Sequence, residues 1–274
     1  MATVQSLKKK LRTIRSTVKL TRAMKTASTV KFSKLNGIYS EYQNYADEYM
    51  HLYKKYCSQF NSAFACNNPD APCCYVVLAS NKGLCGNLNT ELFNFFCSIE
   101  EKGIVVSCGK EATDYFEKKG IEINKSFTLN DVPEYEQVKE IFEYLCLLLR
   151  EGKISSIKTV YPEYINMIKQ KPVCKPLLTS VDCQDDTCDV LFVPDKETVI
   201  KNMADKILIS ILYKRVIEAA LGTQAATLTA MRSAYDTACE YSEILETEMN
   251  RKRQGQVTAD VLETASEFSM EGDV

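Results

Sequence analysis

Apolar side chains recur every three or four residues at both ends of the chain. Val4, Leu7, Leu11, Ile14 and Val18 step along one helical face. After Gly37 the pattern resumes at Ile38, Tyr42, Tyr45, Tyr49, Leu52 and Tyr56. A mean period of about 3.5 residues, held over several heptads, predicts a coiled-coil seam. The far end carries a matching series at Ile207, Ile211, Leu221, Ala225, Leu228, Tyr235, Ala238, Ser242, Leu245 and Met249, with many alanines between them. Bulky rings on one seam suit small residues on the other. Each flank is long enough for about 60 residues of helix, roughly 90 Å at 1.5 Å per residue.

The middle of the chain follows a different pattern. Residues 1–68 hold one glycine, Gly37, and no proline; residues 195–274 hold Gly222, Gly255 and Gly272 and no proline. All seven prolines lie between these flanks, so two uninterrupted segments bracket a turn-rich centre. Within it, Cys74–Ser80 reads as a buried strand, Asn89–Ile99 as a helix, Ile104–Cys108 as a strand and Lys110–Lys119 as a helix. Glu134–Glu151 reads as a third helix, and Ile157–Tyr161 and Val190–Val193 as further strands. Alternation of this kind predicts an α/β sheet covered by helices. The expected fold is therefore α/β: a long antiparallel coiled coil of N- and C-terminal helices plus a central Rossmann-like α/β domain. The expected boundaries are 1–68, 69–194 and 195–274.

Charge adds a polarity that the net value of −2 conceals. Ten Lys or Arg and no acid fall in the first 36 residues, whereas Asp236, Glu240, Glu243, Glu246 and Glu248 gather near the other end. The basic segment could serve nucleic acid or a membrane surface, but its apolar face is committed to a partner helix. No aromatic interleaves the basic residues before Phe32, which argues against a single-strand stacking platform. A transit peptide is also basic and acid-poor; the seam running through this segment speaks against one. No secretory h-region is expected at Met1–Lys10, and the twelve cysteines read as reduced thiols in a cytosolic compartment.

Candidate chemistry is sparse. Gly83-Leu84-Cys85-Gly86 follows the first strand, where a phosphate loop would sit, but it has neither GxGxxG spacing nor a GK[ST] ending. A structural glycine turn is the better reading. His51 is the single histidine and falls in the tyrosine-rich heptads, so no Ser-His-Asp or Cys-His set forms around it. Cys183 and Cys188, with Cys73 and Cys74, could supply four thiolates, yet the spacings are not CxxC. Scattered thiols account for them better than a metal site or a redox pair. An enzyme using the sheet would need a phosphate loop or catalytic dyad that is not found. No catalytic, cofactor-binding or metal-ligating residue is expected, and no cofactor.

Four segments, in order along the chain, resemble the gamma subunit of F-type (rotary) ATP synthases. Lys19–Lys31 (KLTRAMKTASTVK) resembles the family's K-I-T-K-A-M-K-M-V-A-A-A-K, and Ser80–Asn89 (SNKGLCGNLN) its S-D-R-G-L-C-G-G-F-N. Ala230–Ala238 (AMRSAYDTA) resembles A-M-x-x-A-T-D-N-A, and Asn250–Thr258 (NRKRQGQVT) resembles N-x-x-R-Q-x-x-I-T. Val160 to Leu178 follows the family in outline. The resemblance implies a central-stalk rotor, not catalytic by itself, within the proton- or sodium-translocating synthase. Such a subunit transmits torque between the membrane ring and the catalytic hexamer and regulates its ATPase activity. The implied partners are the alpha and beta subunits, the epsilon subunit and the membrane c-ring, with one copy per complex and no nucleic acid. The implied location is peripheral, on the cytoplasmic face of a bacterial cell membrane, or on an organellar inner membrane for a processed form.

Roles carry over by position. Arg22, Met24 and Lys25 match the segment facing the catalytic subunit's acidic lever, and Arg253 and Gln254 match a polar pair that engages a catch loop. Gly83 and Gly86 match a fold-determining turn. The sequence departs from the family at Lys82 for Arg, at Asn87 for the second Gly, and in an acidic tail, Phe268–Val274, where a small apolar terminus is usual. Asn36-Gly37 marks an expected weak point in the first helix. The long insertion that carries the thiol switch in chloroplast relatives is absent. The competing reading is a non-catalytic coiled-coil adaptor with an α/β recognition domain, which would form a homodimer.

Overall fold

The computed structural model describes residues 3–55, 68, 70–101, 103–177 and 195–271. Val190–Val193, Cys183, Cys188 and Tyr56 lie outside these residues. Ten elements follow in order: α1 (Val4–Lys55), β1 (Cys73–Leu78), α2 (Leu88–Cys97), β2 (Gly103–Cys108), α3 (Lys110–Lys119), β3 (Ile123–Phe127), α4 (Tyr135–Arg150), β4 (Ser156–Tyr164), β5 (Gln170–Pro176) and α5 (Lys196–Glu271). The chain forms two compact units: Ser28–Thr229, and the segments on either side of it.

Within Ser28–Thr229, five strands form one sheet in the order β3-β2-β1-β4-β5. β1, β2, β3 and β4 run parallel, and β5 returns antiparallel to β4. β1 is central and wholly buried, as its run C-C-Y-V-V-L requires. Its side chains alternate between two cores. Cys74, Val76 and Leu78 pack with Ile141 and Leu145 of α4 and Ile207 and Leu212 of α5. Tyr75 and Val77 pack on the opposite face with Leu92 and Phe93 of α2 and Phe116 of α3. Helices thus cover both faces; the crossovers through α2 and α3 each lead to the adjacent parallel strand, and the one through α4 carries the chain from β3 to β4 on the other side of β1.

β3 and β5 were not legible as strands. β3 is an edge strand of sequence I-N-K-S-F, with exposed polar side chains and no apolar alternation. β5, Q-K-P-V-C-K-P, carries Pro172 and Pro176, which an edge tolerates because one side of its ladder is unpaired.

The seam of α1 is longer and more regular than its apolar residues suggest. Leu7, Ile14, Thr21, Ser28, Leu35 and Tyr42 recur at steps of seven, and Leu11, Val18, Lys25, Phe32, Tyr39 and Ala46 form the second line; all are buried or half-buried. Thr21 and Ser28 are polar members of this seam. The Thr21 hydroxyl donates to the Thr17 carbonyl at 2.9 Å, which lets it sit inside without an orphaned donor. Tyr45, expected on the seam, is 48% exposed, and Ala46 takes the inward place. The helix continues through Asn36-Gly37 without a break, and Gly37 meets no neighbour within 4 Å.

One glycine sets a close approach that positions the sheet's C-terminal edge. Gly109 links β2 to α3 with φ 103, and a Cβ there would lie 2.2 Å from the Ala79 carbonyl oxygen. Two substitutions test this packing by denaturant titration. Leu145→Ala is expected to lower the unfolding free energy by about 2–5 kcal/mol. Gly109→Ala is expected to cost about 3 kcal/mol through backbone strain and displacement of Ala79. A Gly109→Ala chain of unchanged stability would show that the two segments are not in contact.

Candidate functional site

The candidate contact surface is built on the two helical segments outside Ser28–Thr229. Leu7 and Leu11 of α1 bury Leu245 of α5, with Ile14 and Met249 packed beside them. Arg15 and Glu246 pair at 2.7 Å, and the Lys25 ammonium stands 5.4 Å from the centre of the Tyr235 ring. Contacts that rise along α1 while they fall along α5 define an antiparallel pair. The same direction holds separately inside Ser28–Thr229, where Leu35 packs on Ile217 and Leu221 and Lys214 donates to Asp47 at 2.7 Å.

The two partners carry opposite charge. Lys8, Lys9, Lys10, Arg12, Arg15, Lys19 and Arg22 are all exposed on α1, whereas Asp236, Glu240, Glu243 and Glu248 are exposed on α5. A groove of about 760 Å³ runs beside Lys8, Arg12, Arg15 and Lys19, with Glu246 as its acidic member. One basic strip and one acidic strip make the pair's field strongly asymmetric about its axis.

The residues expected to contact partners fall on this pair. Arg22 is exposed, while Met24 is half-buried beside the seam and Lys25 half-buried within it. Arg253 and Gln254 are exposed, as is every α5 position from 253 to 264. Val257, Val261 and Leu262 are 56%, 59% and 65% exposed, an apolar surface that α1 leaves uncovered. His51 is exposed on α1.

Gly83 and Gly86 belong to Ser28–Thr229, in the turn after β1. Ser80 is buried; its hydroxyl donates to the Lys82 carbonyl at 2.8 Å and accepts from the Asn89 amide at 2.7 Å. Asn81 donates to the Leu129 carbonyl and accepts from the Lys110 N–H at 3.4 Å. Side-chain bonds therefore help to hold this turn. Gly86 has φ 63, and Leu84 also takes a positive φ, 68, while 58% exposed. Lys82 lies 3.9 Å from Asp131, which also pairs with Lys31 of α1 at 2.5 Å. Sequence reasoning missed Gly109, although a glycine between a strand and a helix was the signal available.

Among the described residues, no group of three His, Cys, Asp or Glu is placed to hold a metal ion. Burial pushes the Cys74 thiol up to about 12, and raises Cys108 further still, so both stay protonated at neutral pH. They fill the core of the sheet as small apolar groups.

A family profile described as ATP synthase matches residues 3–269. The chain belongs to the ATP synthase gamma family. The ATP synthase gamma chain of Rubrobacter xylanophilus is 26% identical over 282 residues, covering 97% of each chain. That of Moorella thermoacetica is 26% identical over 273 residues, covering 96% of this chain and 97% of the relative. Among solved structures, a chain of the Euglena gracilis mitochondrial ATP synthase, in a structure of its OSCP/F1/c-ring portion, superposes with a TM-score of 0.71 at 15% identity, over 99% of this chain and 96% of that one. A chain of the Tetrahymena thermophila mitochondrial ATP synthase central stalk and c-ring gives 0.63 at 16% identity, over 78% and 99%. The fold is that of a gamma subunit, two terminal helices packed together with a central α/β domain. Among the described residues of this gamma-family chain, no helix is long and apolar enough to cross a membrane.

The helix pair of the gamma subunit holds through its apolar seam and not through its charges. Leu245→Ala is expected to cost about 2–4 kcal/mol. Arg15→Ala is expected to cost at most about 1 kcal/mol, because both partners are exposed. Thermal unfolding followed by circular dichroism checks both, and a larger loss for Arg15→Ala would contradict this ranking.

Proposed function

We propose that this gamma chain is the central rotor of an F-type ATP synthase and does no chemistry itself. It turns inside a hexamer of alpha and beta subunits and carries torque between that hexamer and the membrane c-ring, with the epsilon subunit beside its α/β domain. One copy serves each complex, peripheral to the membrane on its cytoplasmic face, or on an organellar inner membrane in a processed form. The match to the family across residues 3–269 carries this reading. We assign residues 1–68 and 195–274 to the rotor helices and 69–194 to the α/β domain.

The mechanism follows from asymmetry. A shaft that presented the same face in every direction would contact all surrounding subunits alike and could not bias one against another. This helix pair offers a basic strip from α1 and an acidic strip from α5. Each orientation therefore interacts differently with each catalytic subunit, and rotation shifts their conformational equilibria in turn. In this reading Arg22, Met24 and Lys25 face the acidic lever of the catalytic subunit. Arg253 and Gln254 engage the catch loop, and Val257, Val261 and Leu262 offer apolar surface to the sleeve above it.

Reconstitution with alpha and beta subunits of the same organism tests the proposal. The expected product is a complex with one copy of this chain per hexamer and a gain in ATP hydrolysis. Arg253→Ala and Gln254→Ala should each weaken the catch by about 1.5–3 kcal/mol, roughly tenfold or more in the equilibrium it controls. Failure to form the complex, with self-association of the chain instead, would contradict the proposal.

A further inference from the structure

We infer that Arg215 of α5 forms a torsional clamp that makes the last helix and the sheet turn as one body. The inference rests on the rotor reading above and deepens it by naming where torque passes from helix to sheet.

Arg215 is buried, 9% exposed, on the side of α5 that faces β4 and β5. One guanidinium nitrogen donates to the Thr159 hydroxyl at 2.8 Å and to the Lys175 carbonyl at 3.1 Å. The other terminal nitrogen donates to the Pro176 carbonyl at 2.7 Å. Thr159, fully buried, itself donates to the Lys175 carbonyl at 3.1 Å. A single helix side chain therefore grips two neighbouring strands at once. One turn further along, Glu218 is buried as well; burial, with the Glu218 carboxylate beside it, raises the pKa of the Tyr161 hydroxyl, two residues beyond Thr159 on the same face of β4. Positions three apart on the helix thus lie over positions two apart on the strand, and Arg215 supplies the hydrogen-bonded rung. Lys214, next to Arg215, pairs with Asp47 of α1 at 2.7 Å, so the same turn also ties α5 to α1.

Apolar burial alone would not do this. Ile207, Leu208, Ile211 and Leu212 hold the helix against the sheet domain, but such contacts are non-directional. They oppose separation more than sliding or rotation about the helix axis. A planar guanidinium with its donors on three fixed acceptors sets one geometry and resists the tangential load. Burying this cation carries a desolvation cost that an apolar side chain would avoid. Geometric fixation is what the charged side chain adds.

The test uses the complete ATP synthase in vesicles, with Arg215→Lys, which keeps the charge and loses the fork, and Thr159→Val, which keeps the size and loses the hydroxyl. Two quantities are read: ion uptake per ATP hydrolysed, and the angular fluctuation of a probe fixed to α2. The clamp predicts normal hydrolysis, wider fluctuation and lost ion uptake per ATP in both variants. A side chain that only stabilised the fold would lower the melting temperature and leave both quantities unchanged, and that result overturns the clamp. Should Arg215→Lys fail to assemble, Thr159→Val decides by the same two readings. A natural chain that drives no rotation would remove the rotor reading and the clamp with it; a rotating natural chain with unaltered variants removes the clamp alone.

Discussion

The stretch of α5 from Ile207 to Leu221 is buried on nearly every side, and the architecture of Ser28–Thr229 depends on that burial. Ile207, Leu208, Ile211 and Leu212 belong to the core beneath the sheet, while Ile217 and Leu221 close on Leu35 of α1. A helix buried on nearly every side satisfies two interfaces at once. Each fully buried Leu or Ile there contributes roughly 1.5–3 kcal/mol, so neither interface can be lost cheaply. The consequence is a helix whose rotational setting is defined by the sheet on one side and by α1 on the other. Where apolar contact leaves that setting soft, Arg215 supplies directional bonds.

The rest of the helix pair follows a different economy. Outside Ser28–Thr229 the apolar cluster narrows to Leu7, Leu11 and Leu245 with Ile14 and Met249, and most of the other described side chains are exposed, with Thr21, Met231 and Ala238 among the buried exceptions. A narrow seam with wide charged flanks holds two helices together and leaves most of their surface to other molecules. Polar seam residues such as Thr21 and Ser28 contribute less adhesion than leucine would, but they keep the heptad spacing unbroken from Leu7 to Ala46. From Arg253 to Thr264 every α5 side chain is exposed, with Val257, Val261 and Leu262 uncovered. Such a surface is stable as a helix chiefly when something else packs on it.

Much of this was legible in the sequence because burial on both faces leaves a strong pattern. The run C-Y-V-V-L-A-S read as a buried strand because it is short, apolar and rich in β-branched residues. Lys110–Lys119 was bounded by glycines on both sides and coincides with α3. The edge strands escaped because an edge selects polar residues and proline, which erase the alternation that marks a strand. Tyr45 was placed on the seam because aromatic residues at heptad spacing look apolar; Ala46 proved to be the inward residue, being small enough for the close approach of two helices. Arg215 and Glu218 gave no signal at all. A charged pair three apart on a helix is ordinarily a solvated pair, and only the fold shows that β4 and β5 cover this one.

The central claim is that this chain rotates as a unit within its complex under the drive of ATP. The direct measurement is single-molecule observation of a probe fixed to the α/β domain, with the alpha and beta subunits immobilised and ATP supplied. The account predicts unidirectional, stepwise rotation that stops when ATP is withdrawn. A probe that only diffuses, in a complex that still hydrolyses ATP, would contradict it.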